Sequence, residues 1–216
     1  MSIYYLLCLL WFIFNFLFPA IYSDLSEGVI YMKLVFIRHT TLSITRGICY
    51  GQTDVPVSSH FTDEAARVNA QLAPYTFDAV YSSPLTRCTQ LAQSCGYPQP
   101  IPDARLLELH FGRWEMQAWT DIPDAEIEPW YADWLNYPTP DGESFAQQIA
   151  RVHAFIDDLA RTNHQTIAIF THGGVIRSAA IYFKLVEPTD AFSFPVDYGS
   201  VTEFELTDFG GTHRNQ

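Results

Sequence analysis

The chain has 216 residues, with 24 acidic against 12 basic side chains, a formal net charge of −12 at pH 7, and 48% hydrophobic and 15% aromatic residues. Length and apolar content suit one packed domain rather than two. The acidic balance excludes a nucleic-acid partner, because a phosphate backbone needs a basic surface. Lys33 and Lys184 are the only lysines, so nearly all positive charge is guanidinium, the better planar clamp for phosphate or carboxylate. Cys8, Cys49, Cys88 and Cys95 form no C-x-x-C and match no zinc spacing. Cys88 and Cys95 fall on a helical pattern with Leu85, Leu91 and Ala92, which predicts buried thiols in a reduced, cytosolic protein.

The first element is an apolar run, Tyr4 to Tyr22, broken by Asn15 and Pro19. Its length approaches a membrane span, yet Met1 to Tyr5 lacks the lysine or arginine of a signal peptide's basic region. A third reading competes with anchor and signal. Met32 directly precedes a strand-like segment, and Glu27-Gly28-Val29 is encodable as a purine-rich ribosome-binding sequence. Residues 1–31 then read as translated leader from an over-long gene start, and 32–216 as a single cytoplasmic domain. If residues 1–31 are genuine, residues 4–22 tie the same domain to a membrane.

Leu34-Val35-Phe36-Ile37 is a continuous β-branched and aromatic run that ends on Arg38-His39-Thr40. Such runs form strands buried on both faces of a parallel sheet. Thr40 to His60 is rich in Thr, Ser, Gly and Pro and is too long for a plain connection. A helix is predicted from about Thr62, with Asp63 and Glu64 in the first turn. Phe77 to Tyr81 reads as a strand. Ser82-Ser83-Pro84 supplies an N-cap and a proline at the first helical position, for a helix that runs to Gly96. Arg87 falls near that helix's first turn, where a cation opposes the dipole, so an anion or an acidic partner is expected beside it.

Residues 101–115 read as short strand and turn. From Met116 to Pro140 the chain is acidic and crowded with Trp119, Trp130, Tyr131, Trp134 and Tyr137. This predicts a small inserted helical cap, whose rings either pack the cap itself or stack on a flat ligand. Phe145, Ile149, Val152, Ile156 and Leu159 share one helical face. Ile167-Ala168-Ile169-Phe170 repeats the buried-strand pattern and ends on Thr171-His172-Gly173-Gly174. A helix from about Gly174 to Leu185 and a strand pair around 195–206 follow. The alternation predicts an α/β class, a three-layer α/β/α sandwich with a mostly parallel central sheet and the small cap insertion. In open α/β sheets, ligand chemistry lies just past the carboxyl ends of the strands. Two imidazoles delivered there, the first beside an arginine, point to chemistry on an anion such as phosphate.

In chain order, these segments resemble the histidine phosphatase superfamily, the phosphoglycerate mutase-like group. Arg38-His39-Thr40 is similar to its Arg-His-Gly signature. Tyr50-Gly51-Gln52-Thr53-Asp54-Val55-Pro56 resembles the loop motif that follows, and Ser82-Ser83-Pro84-Leu85-Thr86-Arg87 the second arginine motif. Leu107-Glu108 with Phe111-Gly112-Arg113-Trp114-Glu115 resembles the acid-bearing segment. Asp141-Gly142-Glu143-Ser144 and Thr171-His172-Gly173-Gly174-Val175-Ile176-Arg177 complete the set. Within the superfamily, the segment Gly47 to Pro56 is most similar to the α-ribazole phosphatase subgroup, which removes the 5′-phosphate of α-ribazole phosphate in the nucleotide-loop part of cobalamin synthesis.

The resemblance implies that His39 attacks phosphorus, giving a phosphohistidine that water hydrolyses. Arg38, Arg87 and His172 surround the phosphoryl oxygens. Gly173 and the helix start add N–H donors, and Glu108 exchanges protons with the leaving oxygen and water. Thr45 stands where many relatives carry a phosphate-binding asparagine. His110 is expected to be a loop or packing residue and Arg177 to pair inside the sheet edge. Glu143 either binds substrate or stabilises its own helix. The resemblance implies no metal and no cofactor, and a small-molecule phosphomonoester as substrate. A homodimer is compatible with the sequence. Two alternatives remain open: a broad-specificity sugar-phosphate phosphatase of the same superfamily, and a non-catalytic phospho-ligand binding module.

Overall fold

The computed structural model describes residues 30–207 and 212–214. The apolar run Tyr4–Tyr22 and the leader expectation for residues 1–31 therefore lie outside the described residues, save for the last two positions. Among the described residues no helix is long and apolar enough to cross a membrane.

A six-stranded sheet organises the molecule. Strands β1 (Ile30–Arg38), β2 (Ala79–Ser82), β3 (Ile101–Pro102), β4 (Thr166–Thr171), β5 (Val201–Thr207) and β6 (Thr212–Arg214) lie in the order β3-β2-β4-β1-β5-β6. β3, β2, β4 and β1 run parallel, while β5 and β6 are antiparallel to their neighbours. Side chains alternate across a strand, so β1 and β4 each feed both faces. Leu34, Phe36, Ile167 and Ile169 pack with Val152, Phe155, Ile156 and Leu159 of one helix and Val175, Ile176, Ala179 and Ala180 of another. Val35, Ile37, Ala168 and Phe170 pack on the opposite face with Ala65, Val68 and Leu72, and with Cys88, Leu91 and Ala92. Each fully buried Leu, Ile or Phe contributes about 1.5–3 kcal/mol. The two layers are α1 (Phe61–Leu72) with α2 (Thr86–Ser94), and α4 (Phe145–Leu159) with α5 (Gly173–Tyr182). This is the expected three-layer α/β/α sandwich with a mostly parallel sheet.

Several boundaries differ from the sequence expectation for identifiable reasons. α2 begins at Thr86, and its N-cap position, Leu85, offers no side-chain acceptor. The cap comes from the long loop instead. The Asp54 carboxylate accepts from the Thr86 amide at 3.0 Å and from the Thr86 hydroxyl. The Ser83 hydroxyl lies 2.8 Å from His172 Nε2 and accepts from the Leu85 amide at 3.4 Å, one residue short of the helix. α5 stops at Tyr182 rather than Leu185. Lys184 turns left-handed (φ 55°) and the Leu185 amide reaches back to the Ala180 carbonyl, a helix stop normally written with glycine. The final pair is β5 with β6, and residues 195–200 form a loop. α4 carries a capping box between Ser144 and Gln147, worth about 1 kcal/mol.

Between Met116 and Pro140 lie a 3-10 turn (Trp119–Asp121) and helix α3 (Asp124–Ala132). Trp119 and Trp130 stack on each other at 5.8 Å and pack with Phe111 and Trp114 around Cys49, Ile122 and Ile127. Most of this aromatic surface thus packs against itself.

Candidate active site

The register of β1 on β4 pairs Arg38 with Thr171, and the His39 amide donates to the Thr171 carbonyl at 3.0 Å. Both strands therefore end together, and their next residues, His39 and His172, meet with ring centroids 5.2 Å apart. His39 is 1% exposed, and His172 and Arg87 are 0% exposed.

Each ring has an assignable tautomer. His39 Nδ1 lies 2.8 Å from the Thr40 carbonyl, which can only accept, so the proton is on Nδ1 and Nε2 keeps its lone pair. The Arg87 Nε–H donates to His172 Nδ1 at 3.3 Å. His172 therefore carries its proton on Nε2, 2.8 Å from the Ser83 hydroxyl. Burial pushes the His39 pKa well below its ordinary 6.5, and Arg87 and Arg38 push it further; the Thr40 carbonyl only partly opposes them. Burial, then Arg87, His39, Arg151 and Arg38, do the same to His172. Both imidazoles are neutral at pH 7.

Arg87, in the first turn of α2, donates to the Thr53 carbonyl at 2.8 Å and to the Gly51 carbonyl at 2.5 Å. It has no acidic partner among the described residues. The loop that orients it is pinned by Glu115, whose carboxylate accepts from the amides of Gln52, Thr53 and Phe111 and from the Thr53 hydroxyl. Burial raises the Glu115 pKa, but these donors outweigh it and hold it below the ordinary carboxylate range.

Glu108 approaches from the loop after β3. Its carboxylate accepts from the Leu109 amide at 2.9 Å, Gln148 Nε2 at 3.1 Å and the Gly174 amide at 3.2 Å. Its backbone carbonyl is held by Gln52 and Arg151. Arg151 is in turn paired with Glu143 at 2.6 Å, and Glu143 also accepts from the His110 amide. Glu143 thus braces the loop that carries Glu108, and His110 is a loop residue held through its backbone.

A cleft of about 220 Å³ is lined by Arg38 and Gly173, the chain neighbours of the two histidines, by Glu108, Gly174 and Arg177, and by aromatic side chains, Phe111, Trp119 and Phe192 among them. Arg38 stacks on the Tyr198 ring, 3.8 Å from its centroid, and donates to the Val196 carbonyl at 2.6 Å. The Tyr198 hydroxyl is 2.6 Å from that of Tyr50. Six predicted residues, Arg38, His39, Arg87, Glu108, His172 and Gly173, are thereby gathered. Thr45 is not among them; it is exposed and lines a neighbouring cleft with Thr41, Arg46 and Gly47, beyond Tyr50 and Ile48.

Four further residues of the site depart from the sequence expectation or carry none. Arg177 does not pair inside the sheet edge; it lines the cleft and has no ion pair among the described residues. Its position four residues after Gly173 puts both on one helix face, a signal the sequence does contain. Ser83, Gln148 and Tyr198 carry no comparable signal. Among the described residues no group of three or more His, Cys, Asp or Glu side chains is placed to hold a metal ion.

Known proteins share this arrangement of chain. The adenosylcobalamin/alpha-ribazole phosphatase of Escherichia coli is 29% identical over 192 residues, spanning 85% of this chain and 94% of that protein. Phosphoserine phosphatase 1 of Hydrogenobacter thermophilus is 22% identical over 187 residues, spanning 82% and 88%. The crystal structure of the alpha-ribazole phosphatase from Shigella flexneri superposes with a TM-score of 0.78 at 26% identity, covering 85% of this chain and 95% of that one. The family profile described as histidine phosphatase superfamily (branch 1) matches residues 34–215, and the chain belongs to that superfamily.

Proposed function

We propose that the chain is a phosphomonoester hydrolase that works through a phosphohistidine on His39, with α-ribazole 5′-phosphate as its substrate. The observation that carries this reading is the bare Nε2 lone pair of a neutral, buried His39 beside the Arg38 and Arg87 guanidinium groups, which lack acidic partners among the described residues. Nε2 bonds to phosphorus as the ester P–O bond breaks. The Glu108 carboxyl gives its proton to the departing alkoxide, then takes one from the water that cleaves the phosphohistidine. Arg38, Arg87, His172 and the amides at the start of α5 surround the transferring oxygens, where donors already fixed in place stabilise the developing charge without reorganising.

With both histidines neutral and the Glu108 carboxyl protonated for the first step, Arg38 and Arg87 supply two positive charges, which match a phosphate dianion. The aromatic walls suit a flat aglycone, and two relatives carry α-ribazole phosphatase names.

Phosphate release from α-ribazole 5′-phosphate, ribose 5-phosphate, phosphoserine and 3-phosphoglycerate tests the reading. The wild type is expected to prefer α-ribazole 5′-phosphate by orders of magnitude, and His39→Ala to be inactive on all four. Comparable turnover across the panel would instead favour a broad-specificity phosphatase. No His39-dependent release would overturn the catalytic reading.

A further inference from the structure

Arg177 lies in the first two turns of α5, and its side chain runs back towards the start of its own helix, as helix geometry directs. A Cβ placed on Gly173 would meet Arg177 Nη1 at 3.0 Å and the Arg38 guanidinium at 3.4 Å. Two cations therefore flank the space above one glycine, at the helix end where the dipole already opposes positive charge. Neither forms an ion pair with a carboxylate among the described residues, although Glu108 lines the same cleft. Arg177 makes no hydrogen bond or ion pair among the described residues; its contact is with the Phe192 ring, 5.6 Å from the centroid. Its Nε is buried with no partner. Burial, and then Arg38, lower its pKa, and the Glu108 carboxylate only partly opposes them. A guanidinium left this way is costly unless a ligand supplies acceptors.

Arg38 and Arg177 divide the space by position. Arg38 adjoins His39 in the chain, on the phosphoryl side. Arg177 lies against the Phe192 ring and lines the cleft together with Phe145 and Gln148. Phe192 is 56% exposed and packs on Trp134 and Phe145, which fixes the lip against which Arg177 rests.

We propose that Arg177 is the residue that reads the leaving group, its free N–H donors binding a hydroxyl or ring oxygen on a sugar-like leaving alcohol. This rests on the phosphomonoesterase reading above and specifies its substrate class: esters of a neutral, oxygen-bearing alcohol. A donor aimed at a substrate oxygen discriminates against analogues that lack it, because the donor is then left unpaired. Arg177 is a specificity residue in this account, not the source of the chemistry.

The test compares ribose 5-phosphate with phenyl phosphate, whose leaving group has no hydroxyl, in wild type, Arg177→Ala and Arg177→Gln. The ratio of kcat/KM for the two substrates is expected to fall about tenfold or more in Arg177→Ala, chiefly through KM for ribose 5-phosphate. Arg177→Gln, which retains an N–H donor, is expected to recover part of the ratio. An equal loss on both substrates, or no loss on either, would overturn the inference. Calorimetric binding of ribose 5-phosphate and inorganic phosphate to His39→Ala, with and without Arg177→Ala, separates this outcome from failure of the catalytic reading. The double variant should lose the preference for ribose 5-phosphate over inorganic phosphate, and an unchanged preference would also overturn the inference. Absent turnover with that preference lost would count against His39 chemistry but not against Arg177.

Discussion

His39 and His172 are held neutral by burial beside arginines, and this makes stability depend on pH in a definite direction. Their folded pKa values lie below the ordinary 6.5, so between those values and 6.5 the unfolded chain binds protons that the folded chain does not. Stability is complete above pH 6.5 and declines as the pH falls below it. Urea unfolding midpoints between pH 5 and 7.5 should fall on acidification, and the dependence should flatten in His172→Asn. Inorganic phosphate opposes the same effect, because an anion beside the rings favours their protonation; binding at pH 6 should take up protons, measurable as a buffer-dependent heat. Arg87 has a different weight. Its guanidinium is 0% exposed and fixed by two carbonyls, so Arg87→Ala should lower kcat by about 10²–10³-fold with a smaller change in KM.

Elements place these groups by close approach. A Cβ on Gly174 would meet Glu108 Oε1 at 2.3 Å and Gln148 Oε1 at 2.8 Å, both at the ends of flexible side chains. Gly174→Ala should therefore leave the fold nearly as stable, yet push the Glu108 carboxylate off the α5 amide and cut kcat at least tenfold, which kinetics and a melting curve together would resolve. Glu115 has the reverse character. It does not itself line the cleft but gathers four donors, three of them from the loop that orients Arg87, and Glu115→Gln should cost about 2–3 kcal/mol. Its depressed pKa adds stability that is present above the ordinary carboxylate range and lost as the pH falls through it, so the variant's unfolding should be less sensitive to acid below pH 4.5. The histidines were legible in the sequence because a buried strand announces both its face and its end. The braces were not. Ser83 has the composition of a cap and is used by His172, while Asp54, remote in sequence, caps α2. Gln148 and Arg151 are ordinary polar residues of α4 until folding brings Glu108 beside them. A lone arginine on a helix usually pairs with an acid, and only the tertiary structure shows that Arg177 forms no ion pair among the described residues.

Across the whole molecule, the layered architecture followed from strand and helix periodicity, whereas the sheet order depends on contacts far apart in the chain. The thiols offer a measure of how firmly those contacts hold. Cys49, Cys88 and Cys95 are free and buried, and burial raises all three, Cys49 to about 12 and Cys95 to about 11. Alkylation of these three by iodoacetamide should be negligible in the native protein and should track global unfolding in urea; peptide mapping reads each separately. β1 lies between β4 and β5, and neither neighbour exists until the chain has passed residue 166. During synthesis the strand bearing Arg38 must wait, both edges open, while α1, α2 and α4 emerge ahead of its partners. Non-local pairing of this kind slows folding and exposes strand edges to other chains. A chain halted before β4 would accordingly be an aggregating fragment, one in which His39 has neither its neighbour nor its buried environment.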